Sequence, residues 1–552
     1  GNNSRGAGSG ISSRSGGGSA RSAGSDIAGG EDESAPDRRD SSPRAASRHN
    51  SFLNRQTPRP SAVFLDGINI DDLIKDDFLD FSDDEGDGGG DAGDANRGIE
   101  LGRSHANSSS SIHSAARRLS KNERQALQTL NSRECSFTDI VNIMLTNSTS
   151  ATVNNEGLHA LSLVHDPRVE MLRECAESCG FEVIVSAMGK CGKDAMAQTN
   201  ACKVLFIAGA SGEDLQIAIG RAGGIDALVD AMKEFDDDVI VLEGSLLALS
   251  NLCIPDENLD FALGTDMIEL AVNAMSKNVD NCGLQEHGCA VLANLAVHQE
   301  ARLRIRNCGG CDTVVVSMVV NPMDVGVQSQ ALVTLRNLCV GDEENKVLLA
   351  NSGAIDVVLQ AMQNHRDDPT IQSRASWVLG IIGTNEDNKL HIGENGGPEA
   401  VVRSMWVFPK EVTVQEKGCR ALWTMSVHPH NRFAIMDADA IPAIVAAMQN
   451  HAAEPSIQER GCGALCNLAA NDDDLKIRIV NDGALDVIVM SMVLHGENEN
   501  IQERAVALLH KLCIPENINA MVSANVSPMM AVVAETFPLC RERAVFVIEQ
   551  LG

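Results

Sequence analysis

Residues 440–484 read AIPAIVAAMQNHAAEPSIQERGCGALCNLAANDDDLKIRIVNDGA, and three blocks can be told apart in them. The first is a short apolar run closing near Met448. The second opens near Gln458, ten residues later, as IQERGCGALCNLAA, a run too long for the strand of a propeller blade. Within it Ile457, Cys462, Leu465, Leu468 and Ala469 fall on one side of a helix, while Glu and Arg take the other faces. The third block, DDLKIRIVNDG, ends at Gly483, where glycine permits a sharp bend before the next apolar run. The stretch predicts a middle helix, a loop, a long helix, a short helix and a bend.

The same grammar extends in both directions. Methionine returns at Met144, Met188, Met232, Met275, Met318, Met362, Met405, Met448 and Met492, in steps of 43 or 44 residues, each time closing a run such as IVNIM, VIVSAM or ALVDAM. Ten residues on stands Gln198, Gln285, Gln328, Gln372, Gln415, Gln458 or Gln502, with Asn154 and Leu242 as the exceptions. Bend glycines are expected at Gly180, Gly224, Gly310, Gly353, Gly397 and Gly483. Such a period marks stacked supersecondary units. Ordering one unit costs roughly 1.5 kcal/mol per residue, which its own apolar area at about 25 cal/mol per Å² barely offsets, so neighbours must complete each core.

The three-helix unit, with GAIDVVLQAM, AIPAIVAAMQN and QERGCGALCNLAANDDDLKIRIVNDGA as its phrases, resembles the armadillo repeat over roughly residues 121–552. HEAT repeats are the near competitor; they usually have two helices per unit, and the glycine bend favours armadillo. The resemblance implies an all-α, right-handed superhelical solenoid of about nine to ten repeats. We assign residues 119–552 to that array and residues 1–118 to a disordered, Ser/Gly/Asp-rich tail.

The formal charge of -31 over 552 residues argues against nucleic acid or an anionic membrane as partner, since both demand a basic footprint. No stretch reaches the roughly 20 uncharged apolar residues needed to cross a bilayer. The chain begins at Gly1, so a missing leader proves little, and Arg5 breaks the myristoylation pattern. Its last unit is clipped, which fits either a cap or an array that continues. Of the 16 cysteines, Cys202, Cys289, Cys419 and Cys462 share one register and Cys253, Cys339 and Cys513 another, as small core residues do. A reducing compartment follows, cytoplasmic with the nucleus as second choice. Cys308 and Cys311 form CGGC, but no strand precedes them, so packing is expected over redox chemistry.

The tail has too few apolar residues to bury a core. One island differs: VFLDGINIDDLIKDDFLDFSDDEGD, residues 63–87, where Leu65, Leu73, Phe78 and Phe81 stand among acids. A solvated acidic run would not need such residues, so a motif that folds on binding is expected. Ser51 and Ser120 follow basic residues and Ser82 precedes Asp-Asp-Glu, making them candidate phosphorylation sites. The chain has no tyrosine to modify.

In armadillo proteins the long helices line a concave groove, where an asparagine often holds an extended peptide by its backbone. The resemblance carries that role to Asn251, Asn294, Asn337 and Asn467, nineteen residues after the repeat methionine. An amide offers a peptide one donor group and one acceptor; the alternative is that these amides bond neighbouring helices. Seven residues earlier, on nearly the same face, Arg374, Lys417, Arg460 and Arg504 form a basic row suited to an acidic peptide, as in the catenin branch; the alternative is solvated surface pairs. Nuclear import receptors set a tryptophan four residues before each groove asparagine. Here Trp377 alone holds that slot, before Ile381, and the tail lacks a basic segment, so that role is disfavoured.

No HExxH, GxxxxGK[ST] or GxSxG motif is present, and no catalytic residue, cofactor or metal site is assigned. His365, His451 and His495 share a loop register that reads as solvent-exposed. The sequence thus reads as a non-catalytic scaffold or adaptor binding proteins or disordered peptide segments, with its own residues 63–87 docking near Arg374, Lys417, Arg460 and Arg504. The alternative is a regulator of a small GTPase or of membrane traffic.

Overall fold

The computed structural model describes residues 64–65, 68–69, 119–132, 135–164, 167–470 and 472–552. By its contacts the chain divides into residues 1–61 and 62–552; the first unit lies outside the described residues, and the helical array belongs to the second. Ser51, Ser82, Leu73, Phe78 and Phe81 likewise lie outside them. Leu65 belongs to a two-residue antiparallel ladder in which Phe64 faces Asn69 and Leu65 faces Ile68.

From Lys121 to Leu551 the described elements are thirty α-helices and one short 3-10 turn. After Lys121–Leu130 they recur in threes. In the eighth unit these are Ala440–Asn450, Pro455–Leu468 and Asp473–Asn481: a middle helix, a long one and a short one. Nine such triplets are followed by Val526–Thr536 and Arg541–Leu551, and each long helix packs on the long helix of the next unit. The expected all-α repeat solenoid is the observed one.

In seven of the nine units the long helix begins at a capping side chain six residues after the methionine. Asp194, Asn281, Asp324, Asp368 and Asn498 each accept a hydrogen bond from the backbone N–H three residues on, the geometry that satisfies an orphan donor of the first turn. Pro369 and Pro455 sit at the first helical position, where a missing N–H costs nothing.

The glutamine lies inside the long helix, fully buried, and its amide closes the helix before it. Gln458 Nε2 donates to Met448 O and His451 O, both at 2.9 Å. Gln372 does the same to Met362 O and His365 O, both at 2.9 Å. Gln198, Gln285, Gln328, Gln415 and Gln502 repeat the pair of bonds. A helix C-terminus leaves carbonyls without intrahelical partners; one side chain here caps two of them. The methionine is buried in every unit, at most 2 % exposed. In four units it rests over a glycine of the long helix: a Cβ on Gly461 would lie 2.6 Å from Met448 Sδ, and on Gly288 2.6 Å from Met275 Sδ.

The bend between short and middle helix is left-handed as expected at Gly353 and Gly483, with φ of 87° and 89°. In three other units the left-handed residue is one earlier than the sequence places it, at Gly223, Gly309 and Gly396. Cys179 takes that conformation ahead of Gly180, and Asp439 and Asn525 do so where no glycine is assigned. A second lock joins consecutive units. The buried amides of Asn258, Asn388, Asn431 and Asn517 each bridge the end of a long helix and the short helix of the unit before, as Asn258 does to Leu252 O and Gln216 O, both at 2.8 Å.

The histidine reading needs correction. His365 is buried, and His365, His451 and His495 each direct Nε2 at a carbonyl one unit back, Pro322, Pro409 and Ala452, at 3.0, 2.9 and 2.8 Å. These loops are stacked on one another, so a polar ring there has backbone for a partner before it has water.

Replacing Gln458 by leucine keeps the volume and orphans two buried carbonyls; since each unsatisfied group costs about 1–3 kcal/mol, a loss of about 2–4 kcal/mol is expected. A urea midpoint within error of the parent's, followed by the fluorescence of Trp423 and Trp377, would show that the amide does not hold the array.

Candidate functional site on the long helices

The residues assigned to the groove all lie on long helices, the amides at one register, the cations at a second and Trp377 at a third. The structure gives many of them work inside the array. Asn294 Nδ2 donates to Ser250 O at 2.8 Å and Asn337 Nδ2 to Ala293 O at 2.8 Å, in each case one unit back. Asn467 Nδ2 reaches Trp423 O at 3.3 Å and Ser426 Oγ at 3.2 Å. Asn251 is half-buried and makes no such bond among the described residues. Three of the four amides therefore tie long helix to long helix, the alternative role the sequence left open. Arg336 Nε also donates to Asn337 Oδ1 at 2.9 Å.

The basic row is not a set of solvated side chains. Lys417, Arg460 and Arg504 are buried, at 6 %, 5 % and 9 % exposure, and Arg374 is half-buried. Arg374 donates through Nη1 to the carbonyl and hydroxyl of Ser329. Glu416 accepts from Lys417 Nζ at 3.3 Å and from Arg460 Nη1. Trp377, itself buried, is a platform for cations: Lys417 Nζ lies 3.6 Å and the Arg336 guanidinium carbon 4.2 Å from its ring centre. A buried cation demands such a carboxylate or ring face, because desolvation otherwise outweighs any attraction. Burial pushes the Glu416 carboxyl up, but the charges of Lys417 and Arg460 and the bonds they donate outweigh it, and the net shift is downward.

At the C-terminal end of the row the long-helix face opens into a pocket of about 780 Å³. Trp423 floors it, and Arg432, Lys476, Arg504, Lys511 and Arg543 line it with the single acid Glu503. Sequence reasoning finds only Arg504 of this group. Lys511 stands at the asparagine register, where the sequence assigns it no role; Arg432, Lys476 and Arg543 come from other helices and share no register with it.

The sequence model of the LRRK2 ARM repeat matches residues 398–542, which include every lining residue of this pocket but Arg543. No curated protein matches the chain in sequence. Among solved structures, an engineered protein superposes with a TM-score of 0.65 at 22 % identity, over 75 % of this chain and 98 % of its own. A structure from work on a phosphorylation switch that controls the interaction between cadherin and beta-catenin superposes with a TM-score of 0.54 at 16 % identity, over 78 % of this chain and 96 % of its own. The fold is that of an armadillo-like repeat array. At these identities the likeness to solved structures is one of fold.

An armadillo-like array suggests an interaction scaffold. Among the described residues no group of three His, Cys, Asp or Glu side chains is arranged to hold a metal ion, and no helix is long and apolar enough to cross a membrane. The CGGC pair sits on a repeat bend; burial raises both thiols, Cys311 to about 12, which keeps thiolate scarce near neutral pH. Ser120 is the N-cap of Lys121–Leu130 and shares a capping box with Glu123, so a phosphate there would face that carboxylate.

Glu416→Ala would leave Lys417 and Arg460 without this acid, a loss of about 3–5 kcal/mol for a broken buried pair. Because the folded pKa is depressed, the parent's advantage is full above the unfolded value of about 4.3 and disappears as pH falls through the lower folded value. Urea midpoints of both proteins between pH 3 and 7 check this; a gap that does not narrow at the acid end counts against the pair.

Proposed function

We propose that the protein is a non-catalytic scaffold whose long-helix face holds extended, acidic segments of partner proteins, and that its own residues 63–87 compete for that face. The observation that carries this reading is where the positive charge lies. In a chain of net charge -31, the basic row Arg374, Lys417, Arg460 and Arg504 runs along one helical register and leads into the pocket that adds Lys511 and Arg543. Long helices spaced by roughly 8–10 Å meet an extended strand, at about 3.3 Å per residue, near every third residue. The half-buried amide of Asn251 supplies a further backbone partner.

Residues 63–87 fit as occupant. From Asp66 to Asp94 the tail has twelve acids and one lysine, with Leu65, Leu73, Phe78 and Phe81 among them to bury apolar area. Tethering raises their effective concentration to about millimolar, enough for a weak contact to shield the face until a stronger acidic partner displaces it.

A labelled peptide of residues 63–87 is expected to bind full-length protein carrying Leu73→Ala, Phe78→Ala and Phe81→Ala roughly tenfold more tightly than the unaltered chain, whose own tail competes. Fluorescence anisotropy measures the affinities, and hydrogen exchange should show protection along Pro369–Ile382 to Glu499–Leu512. Equal affinities remove the self-shielding; protection confined to the short helices removes the groove.

A further inference from the structure

The pocket differs from the row that leads to it in one respect: its charge is not cancelled from within. Upstream, Glu416 sits between Lys417 and Arg460. In the pocket the partners are mostly backbone. Lys511 Nζ donates to Cys466 O at 3.1 Å, and Arg432 to Ser426 O and Ala470 O at 3.3 and 3.2 Å. Carbonyls fix where these cations stand and leave their charge in place. Lys476 is paired with Asp473, an exposed side chain outside the lining. Among the described residues no carboxylate lies within salt-bridge distance of Arg432, Arg504, Lys511 or Arg543.

Two N–H groups of the same lining are also short of an acceptor. Trp423 and Arg504 are 4 % and 9 % exposed, and neither the indole Nε1 nor the guanidinium Nε has a hydrogen-bond partner. The Arg504 guanidinium carbon stands 5.4 Å from the Trp423 ring centre. The indole lies flat on Gly463, where a Cβ would come within 2.8 Å of Nε1. Buried donors are nearly always satisfied, and one left bare is costly. Cations fixed by carbonyls and facing a single acid are arranged for an anion with several acceptors.

We propose that this pocket reads phosphate: it takes the phosphoryl group of a phosphorylated serine in an acidic peptide segment held on the long-helix face. The proposal deepens the scaffold reading and rests on it. A carboxylate brings one charge and two oxygens. A phosphoserine brings about -1.5 to -2 and three strong acceptors, the better match to five cations facing one acid. The occupant is the chain's own segment at Ser82, where Asp83, Asp84 and Glu85 follow the hydroxyl and would meet the neighbouring bases. Modification of Ser82 would thereby tighten the contact between tail and array.

The test uses full-length protein made without kinases and two labelled peptides of residues 74–90, one phosphorylated at Ser82. Phosphorylation should strengthen binding about tenfold or more, as new charge-assisted hydrogen bonds do. Arg543 is exposed, so Arg543→Gln cannot disturb the core; alone and with Lys511→Gln it should remove most of that gain, leaving the phosphorylated and unphosphorylated peptides within about threefold of each other on each variant. Circular dichroism melting verifies that both variants fold. If the two peptides bind alike, the phosphate subsite is wrong and the scaffold reading survives. If the gain persists in both variants, or inorganic phosphate displaces the phosphopeptide at the phosphopeptide's own concentration, the subsite is also overturned. If neither peptide binds, both readings fall for this segment.

Discussion

A buried glutamine amide spanning two carbonyls is the constraint on which the rest of the array depends. The middle helix ends on carbonyls that must find donors out of water's reach. Gln458 supplies both from one nitrogen, so the loop between the helices has little freedom in length or direction. With the loop fixed, the methionine lies over the small residue three places beyond the glutamine, and the long helix leaves at one angle in unit after unit. Asn154 reaches its own loop, to Ser148 O and Ser150 O. Leu242 has no amide, and there the loop stands on the Asp238 cap, which takes two backbone N–H groups.

Registers carry function only because this geometry repeats. A residue nineteen places after the methionine always arrives beside the preceding long helix, where three asparagines use it to grip a carbonyl. Lys511 occupies that place in the ninth unit and makes the same bond, to Cys466 O at 3.1 Å. A structural contact thus sets down a charge at the mouth of the pocket.

The period, the three-helix unit and the face proposed to bind are legible in the sequence, because equivalence between units shows as recurrence and needs no coordinates. Recurrence does not say which way a polar side chain turns. Gln458 reads in sequence as the start of a helix when it closes the one before; the start itself lies six places after the methionine, at a capping side chain in seven of the nine units and at Glu411 and Glu454, which make no cap bond, in the other two. Asn294 and His365 read as facing a ligand or water; both turn back to a carbonyl one unit earlier, a partner some 43 residues away in sequence. The bend glycine is displaced by one residue where two glycines adjoin, as at Gly223–Gly224 and Gly309–Gly310, since either could supply the left-handed turn.

Burial decides which of the basic residues can answer a ligand. Lys417 and Arg460 are held by Glu416 and Lys417 also by Trp377, and an arriving acid would have to overcome contacts formed in the absence of water. Arg543 is exposed, Lys511 is only half-buried, and both are aimed at a pocket with one acid in its lining. On the proposed reading, selectivity for an anionic segment belongs at the C-terminal end of the row, because upstream Glu416 already answers Lys417 and Arg460.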